Sequence, residues 1–211
     1  MKKELILIGG GGHCKSCIDV IEKEKKFQIV GILDVELKIG DEVLGYKIIG
    51  SDENIYDFSK KYSNFFITVG HIKYVSLRKK LFDKLKELNL KLPVIISPKA
   101  VVSEHAVIGE GSIISHNSVI NAEAKIGKNN IINTGAIIEH ESEIGNHTQI
   151  STVAIVNGQC KIGSRCFIGS NVVINNNLEI ADDVIIGSGS VVINSIKESG
   201  IYVGNPAKRI K

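Results

Sequence analysis

The sequence lacks any long apolar run. Lys2 and Lys3 are followed by an apolar stretch of only Leu5 to Ile8, which is too short for the hydrophobic region of a signal peptide. No later stretch reaches the roughly 20 apolar residues that a membrane-spanning helix needs. These absences predict a cytoplasmic protein that does not associate with membranes.

An excess of one charge is also missing. The 211 residues include 26 Lys and Arg against 23 Asp and Glu, for a net charge of +3, and the two signs are interspersed. Binding to nucleic acid or to an anionic membrane surface usually requires a concentrated basic patch. The charge pattern therefore predicts a soluble protein without a nucleic-acid partner.

Cysteine is scarce, and its spacing argues against a disulfide framework or a zinc cluster. Cys14 and Cys17 form a CxxC pair, which could serve redox or metal chemistry. The pair follows four glycines at the start of a predicted helix, where small residues pack well on a sheet, so we favour packing. Cys160 and Cys166 lie six residues apart, in step with the repeat described below. We interpret them as small core residues, and no metal site is predicted.

The first ninety-odd residues alternate predicted strands with predicted helices. Apolar segments at 4–8, 27–34, 64–70 and 92–97, and a weaker one at 46–49, predict strands. Helical segments are predicted after the first strand, from Ser51 or Asp52, and from Tyr74 to Leu88. Strands that alternate with helices favour a parallel sheet with right-handed crossovers. Residues 1–97 are therefore predicted to form a Rossmann-like half domain.

A glycine loop, Gly9 to Gly12 followed by His13, joins the first strand to the first helix. Glycines let a ligand approach the backbone, and a helix N-terminus attracts phosphate. Asp34 ends the second strand, where a carboxylate could accept from a ribose hydroxyl. The alternative is a tight turn that needs positive φ. A dinucleotide and a nucleotide-sugar both remain open as ligands.

The second half repeats every six residues without interruption. Every sixth position from 102 to 192 is Ile or Val: Val102, Ile108, Ile114, Ile120, Ile126, Ile132, Ile138, Ile144, Ile150, Val156, Ile162, Ile168, Ile174, Ile180, Ile186 and Val192. Small residues are common two positions earlier, and Gly, Asn or Ser are common in the turns. This period is typical of a parallel β-helix in which three units close one coil. Each aliphatic side chain should point inward and stack on its equivalent in the next coil, about 4.8 Å along the axis.

Outward apolar side chains such as Ile131, Ile137, Ile155 and Val173 would be poorly solvated on such a prism. Packing around a threefold axis would cover them. We expect a homotrimer.

His140 and Glu141 fall at a turn of the solenoid, just after the inward Ile138. A turn histidine can be an ordinary solvated residue. A carboxylate beside an imidazole can also fix its tautomer and raise its basicity. His105, His116 and His147 have no comparable neighbour in the sequence and are predicted to lie on the surface.

The glycine loop, the run INTGAIIEHESEIG and the closing YVGNPAKRI resemble the PglD/NeuD-type bacterial sugar acyltransferases over the whole chain. The resemblance implies a fold of class α/β + β, in which a Rossmann-like half domain precedes a left-handed parallel β-helix at residues 98–211. It also implies a homotrimer that transfers acetyl from acetyl-CoA, bound between subunits, to a nucleotide-linked amino sugar.

The resemblance further implies roles for individual residues. His140 would be the general base, and Glu141 would tune it. The implied nucleotide-sugar positions are Gly11, Gly12, His13, Asp34, Val35 and Gly70. The implied acetyl-CoA positions are Gln149, Gly158, Ser170 and Ser188. The family often carries a second histidine at the position of Gln149, and glutamine cannot titrate.

The predicted acceptor is the 4-amino group of a UDP-linked deoxy sugar. O-acetylation of a sialic-acid-like sugar and a non-catalytic trimeric scaffold are the alternatives. A β-helix carbonic anhydrase would need closely paired zinc-binding histidines, and the sequence does not space them so.

Overall fold

The computed structural model describes residues 2–71 and 75–211. The chain divides into two compact units, Met1–Ile95 and Ile96–Lys211. The functional division into a nucleotide-sugar half at 1–97 and an acyltransferase half at 98–211 stays a prediction.

The first unit is a five-stranded sheet with helical crossovers. Its strands are β1 (Lys3–Ile8), β2 (Phe27–Asp34), β3 (Glu42–Val43), β4 (Tyr46–Ser51) and β5 (Phe65–Ile67). Its helices are α1 (Gly12–Glu24), α2 (Ile55–Ser59) and α3 (Val75–Glu87), with short 3₁₀ turns at Glu36–Lys38 and Asp52–Asn54. The sheet order is β3-β4-β2-β1-β5, and only β3 pairs antiparallel.

The interior strand β1, which lies between β2 and β5, shows how this sheet is stabilised. Its residues from Leu5 to Ile8 are at most 1% exposed, as expected of a parallel strand buried on both faces. The predicted Rossmann-like parallel sheet is confirmed. Among the described residues, no helix has the length and apolar character to cross a membrane.

Two local predictions differ from the structure, and a third is not tested by it. The segment 92–97 is not the last strand of this sheet: β6 (Ile95–Ile96) joins a sheet of the second unit, where the Ser97 N–H donates to the Ile114 carbonyl at 2.9 Å. Ile96 lies one six-residue step before Val102, so it continues the inward ladder. The helix predicted from Ser51 begins as a 3₁₀ turn, and α2 has only 5 residues. The start predicted at Tyr74 lies outside the described residues.

Buried polar contacts hold the strand ends from which the glycine loop emerges. The Arg78 side chain is 0% exposed, and its Nη1 donates to the carbonyls of Ile67 and Val69 at 2.7 and 2.9 Å. The Thr68 hydroxyl lies 2.9 Å from the Ile8 carbonyl and 2.5 Å from the Gly9 carbonyl. The Arg78 contacts tie α3 to the end of β5, and the Thr68 contacts tie that end to the end of β1. Pairing these buried donors avoids the cost of leaving them without an acceptor.

His13 lies in the first turn of α1, with its Nε2 3.4 Å from Cys17 Sγ. Burial, and secondarily the Arg78 cation, lower the pKa of His13 from 6.5 to about 3. Burial raises the pKa of Cys14 to about 11 and that of Cys17 still further. The imidazole is therefore neutral, and both thiols keep their protons near pH 7. Protonated, buried thiols agree with a packing role for this CxxC pair.

The second unit is a parallel β-helix of short strands. They are β7 (Val101–Val102), β8 (Val107–Ile108), β9 (Ile113–Ile114), β10 (Val119–Ile120), β11 (Lys125–Ile126), β12 (Ile131–Ile132), β13 (Ile137–Ile138), β14 (Glu143–Ile144), β15 (Gln149–Ile150), β16 (Ile155–Val156), β17 (Lys161–Ile162), β18 (Phe167–Ile168), β19 (Val173–Ile174), β20 (Glu179–Ile180), β21 (Val184–Ile186) and β22 (Val191–Val192). A closing hairpin of β23 (Gly200–Val203) and β24 (Lys208–Arg209) follows.

Every third strand belongs to the same face. We call β7, β10, β13, β16, β19 and β22 the aliphatic sheet. The strands β8, β11, β14, β17 and β20 form the charged sheet, and β6, β9, β12, β15, β18, β21, β23 and β24 form the third sheet. From β7 to β22, each strand pairs in parallel with the strand 18 residues away, as Ile120 does with Ile138.

The residues of the inward ladder are buried as predicted. From Ile114 to Val192, every ladder position is at most 3% exposed. Cys160 and Cys166 are 0% exposed within the same core, so their predicted role as small core residues is confirmed. Among the sixteen positions from Val102 to Val192, only Val102 and Ile108 are half-buried.

Outward side chains give each face its own character. The aliphatic sheet presents Val101, Val119, Ile137, Ile155, Val173 and Val191. The charged sheet presents ion pairs such as Lys125 with Glu143 at 2.8 Å. Ile131 was expected to need a partner subunit, and that expectation is wrong. It lies on the third sheet between Ile113 and Gln149 and is 1% exposed within one chain.

The neutral His13 predicts a pH-dependent stability. An unfolded histidine titrates near its ordinary value of about 6.5, whereas His13 in the folded chain titrates near 3. Between these values the unfolded chain binds a proton that the folded chain does not, so this contribution to stability is complete above about pH 6.5 and is lost as the pH falls toward 3. His13→Gln should flatten the decrease in denaturation midpoint between pH 7 and pH 4.5.

His105→Gln is the matched control, because His105 is exposed. Equal slopes for the two variants would show that His13 is not held neutral by the fold.

Candidate active site

His140 and Glu141 occupy a turn between β13 of the aliphatic sheet and β14 of the charged sheet. The His140 Nδ1 lies 3.0 Å from the Glu141 Oε2. Both side chains are accessible, with exposures of 56% and 46%. The turn thus presents an imidazole to solvent with one ring nitrogen already engaged by a carboxylate.

The backbone of this turn directs the pair outward. Glu141 has a φ of 60°. Residues other than Gly, Asn and Asp rarely adopt this left-handed backbone conformation. The Glu141 N–H donates to the Ala122 carbonyl of the preceding coil at 3.0 Å. The same left-handed φ recurs at Glu123, Gln159 and Asn177, so the coil geometry imposes it.

Gly158 lies in the next coil against the imidazole. A Cβ added at this position would stand 2.7 Å from both Cε1 and Nε2 of His140, well inside any tolerated contact. A side chain at position 158 would therefore displace the imidazole from the place it occupies here. The structure brings Gly158 to His140, as the sequence interpretation placed them in one site.

The hydrogen bonds of the pair favour the anionic form of the Glu141 carboxylate. The hydrogen bond with His140, and then that with Gln159, lower the pKa of Glu141 below its usual value. Glu141 is consequently ionised at neutral pH, and because a carboxylate can only accept, Nδ1 carries the hydrogen of this contact. That tautomer leaves the Nε2 lone pair available to take a proton.

The other implied acetyl-CoA positions lie elsewhere on the prism. Gln149 is on the third sheet, 7% exposed, and its amide donates to the Ser151 hydroxyl at 3.0 Å. Ser170 and Ser188 are stacked in the turns that lead from the third sheet to the aliphatic sheet. One chain therefore places His140 and these two serines at different corners of the coil.

The remaining β-helix histidines differ from the sequence interpretation in one case. His147 was predicted to lie on the surface, but it is 8% exposed, and its Nδ1 accepts from the Asn129 amide at 2.9 Å. It is buried because its in-register neighbour one coil earlier covers and binds it. His105 is exposed, and His116 is half-buried with its Nδ1 2.5 Å from the Ser97 hydroxyl.

The glycine loop of the first unit forms an open, polar surface. A Cβ added at Gly11 or Gly12 would meet nothing within 4 Å, so space exists there for a ligand. Gly11 is the N-cap residue of α1, whose first N–H groups attract anions. His13 follows in that turn, and a Cβ at Gly70 would lie 3.7 Å from the His13 Cβ.

Asp34 braces this loop. Its Oδ2 accepts from the Gly10 N–H at 2.7 Å and from Lys38 Nζ at 3.0 Å, and its Oδ1 accepts from the Val35 N–H at 2.7 Å. Burial alone would raise the pKa of Asp34, but these three donors outweigh it and hold the pKa below the usual value. The carboxylate is thus ionised and rigidly held beside the exposed Val35.

Sequence reasoning missed two contributors, Gln159 and Lys38. Gln159 donates to the Glu141 carboxylate at 3.1 Å, and the 18-residue coil spacing from Glu141 was the signal that could have identified it. Lys38 contacts Asp34 through a 3₁₀ turn that no pattern indicated. In the described ranges 2–71 and 75–211, no group of three or more His, Cys, Asp or Glu side chains could hold a metal ion.

Comparison with known protein families matches both units. The PglD N-terminal domain matches residues 4–85, and the bacterial transferase hexapeptide of six repeats matches residues 141–176 and 159–194. A search of curated protein sequences finds no significant match.

Solved structures match almost the entire chain. One is a histidine-to-asparagine variant of perosamine N-acetyltransferase from Caulobacter crescentus in complex with CoA and GDP-perosamine. It is 30% identical, covers 99% of this chain and 97% of its own, and has a TM-score of 0.92. Another is the acetyltransferase domain of PglB from Neisseria gonorrhoeae in complex with acetyl coenzyme A, 27% identical over 100% of both chains with a TM-score of 0.93.

WeeI from Acinetobacter baumannii shares the fold at 24% identity, covering 99% of this chain and 100% of its own with a TM-score of 0.86. Agreement this close also establishes the hand of the coil, which is that of the left-handed parallel β-helix. With the 30% identity over nearly the full length of the perosamine enzyme, it follows that the chain belongs to the PglD-type family of hexapeptide-repeat sugar acetyltransferases.

Proposed function

We propose that His140 is the general base in direct transfer of acetyl from acetyl-CoA to the 4-amino group of a UDP-linked amino-deoxy sugar. The observation that carries this proposal is the imidazole itself, held by Glu141 through Nδ1 at 3.0 Å and packed on Gly158. Its Nε2 has no competing role in that arrangement and can take the proton of an attacking amine.

The coarser function follows from family membership. The chain is an acetyl-CoA-dependent N-acetyltransferase that acts on a nucleotide-linked amino sugar. The proposal adds the base, the nucleotide and the position acylated. O-acetylation of a sialic-acid-like sugar is less favoured, because the similar perosamine enzyme is an N-acetyltransferase.

The proposed reaction needs no covalent acyl-enzyme. The sugar amine attacks the thioester carbon while His140 takes its proton, and the carbon–sulfur bond then breaks. The proton leaves with the CoA thiol. Backbone N–H groups, that of Gly158 first, would stabilise the oxyanion that develops at the thioester oxygen.

The acceptor is proposed to bind at the glycine loop of the first unit. Three features support this: the open surface at Gly11 and Gly12, the N-terminus of α1 and the braced Asp34. Because His13 is neutral, attraction of the diphosphate would come from the helix N-terminus, with the imidazole acting as a hydrogen-bonding partner.

The proposed active form is a homotrimer. The outward row on the aliphatic sheet includes Ile137, Ile155 and Val173, which are only half-buried in one chain. Ser170 and Ser188 lie at a different corner from His140, so a CoA site that used all three would need a second subunit. Packing around a threefold axis would meet both requirements.

Assembly can be tested on the aliphatic row. The wild-type protein should sediment near three times 22.9 kDa, and Ile155→Asp with Val173→Asp should dissociate it because two carboxylates would be buried in the interface. Lys161→Asp with Glu179→Lys on the charged sheet is the matched control and should stay trimeric. A stable wild-type monomer at micromolar concentration would contradict the proposed interface.

The division of ligands can be tested at Gly11. Gly11→Val should raise KM for the sugar nucleotide at least tenfold by filling the open surface, and it should leave acetyl-CoA affinity unchanged by calorimetry. Lys23→Ala, on an exposed part of the same helix, controls for changes in α1. Competition by UDP and GDP tests the predicted nucleotide, and a loss of CoA affinity in Gly11→Val would show that the two ligands have been misassigned.

The base can be tested at His140. His140→Ala should lower kcat by about 10²–10⁴, the usual contribution of a positioned base, with an unchanged melting temperature because the side chain is exposed. Wild-type kcat/KM should rise with pH as the imidazole loses its proton, and that rise should vanish in the variant. His105→Ala is the control. Retention of more than about a third of wild-type kcat at saturating substrates would make His140 an ordinary turn residue, and a scaffold would show no turnover in any form.

A further inference from the structure

The carboxylate of Glu141 is held from two coils at once. Its Oε2 lies 3.0 Å from the His140 Nδ1 and 3.1 Å from the Gln159 Nε2. Gln159 occupies the same turn position as Glu141 in the next coil, and both have left-handed backbones, with φ of 61° and 60°. The coil register therefore places an amide donor directly beside the carboxylate that holds the imidazole.

Gln159 also contacts the histidine through its backbone. Its N–H donates to the His140 carbonyl at 3.0 Å, and its neighbour Gly158 lies against the ring. The two residues thus act together: Gly158 leaves room for the imidazole, and Gln159 holds both the main chain of His140 and the side chain of Glu141.

We infer that Gln159 is a positioning residue for the general base, acting on His140 through Glu141. This inference rests on the proposed function. Glu141 is an exposed side chain that could otherwise rotate into solvent, and its loss from Nδ1 would free the imidazole to change tautomer or orientation. A second hydrogen bond from the next coil restricts the carboxylate to the geometry in which Nε2 is the proton acceptor.

The amide is chemically suited to this task. It donates a hydrogen bond without carrying charge, so Glu141 stays an anion that can hold Nδ1–H. A carboxylate at position 159 would repel Glu141, and an ammonium would compete with His140 for it. Two further carboxylates belong to the same corner: Glu123 in the column of Glu141, one coil earlier, and Glu139, which accepts from the Asn121 amide at 2.6 Å.

Gln159→Ala should lower kcat about three- to tenfold, the usual effect of one lost hydrogen bond, with KM for both substrates unchanged. Asn177→Ala is the matched control: Asn177 is exposed, has a φ of 62° in the same column and lies one coil farther from Glu141. It should retain wild-type kcat.

A double-mutant cycle distinguishes positioning from a general structural role. Gln159→Ala should have no further effect on kcat when Glu141 is already replaced by Ala, because the substitution keeps the backbone N–H and the Gln159 side chain acts only through that carboxylate. Gln159→Glu, which keeps the side-chain size, should move the rising limb of kcat/KM to higher pH, since added negative charge favours the protonated imidazole.

The kcat values and the pH profile decide whether Gln159 positions the base. Unchanged kcat in Gln159→Ala, or an equal loss in the presence and absence of Glu141, would overturn the role of Gln159. If Gln159→Ala fails to form the folded trimer, Gln159→Glu carries the test, and an unmoved pH limb would overturn it. Failure of the proposed function is separately visible, because His140→Ala would then keep its activity.

Discussion

The register of eighteen residues between stacked coils is the constraint on which the rest of the molecule depends. Inward aliphatic side chains such as Ile120 and Ile138 pair across it, and burial of this ladder stabilises one register over any shift, which would expose it. Once the register is set, every turn residue has a defined neighbour in the next coil. His140 contacts Gly158, and Glu141 contacts Gln159, because each pair is separated by the same eighteen residues as the stacked isoleucines.

The turns use this register to place the side chains of the candidate site next to each other. Left-handed backbone at Glu141 and Gln159 is unfavourable for an isolated residue, and the ladder hydrogen bonds on either side hold it in place. The side chains consequently leave the coil in one direction, where they can contact each other and a ligand. Ser170 and Ser188 lie in turns at another corner of the coil. Within one chain they are therefore apart from His140, and a threefold assembly would bring these parts of the proposed CoA site together.

In the first unit, buried polar contacts support the glycine loop. Thr68 ties the ends of two parallel strands together beneath the glycine loop, and Arg78 ties α3 to one of these ends. Asp34 braces the loop from the next strand. The loop can therefore expose its backbone to a ligand while remaining attached to a rigid sheet. Burial beside a cation keeps His13 neutral, so recognition at this end depends on hydrogen bonds and the helix N-terminus.

The sequence by itself determined the two architectures and the identity of the proposed base. A six-residue period and strands alternating with helices are local patterns, and the pair His140–Glu141 is adjacent in the chain. Only the tertiary structure decided that Ile96 belongs to the β-helix, that Ile131 is covered within one chain, and that Gln159 reaches Glu141. These outcomes depend on which distant residue lies in the next coil or over a given face. The local period of apolar residues predicts the secondary structure of a segment. Contacts and burial depend on residues that are distant in the sequence, so they require the tertiary structure.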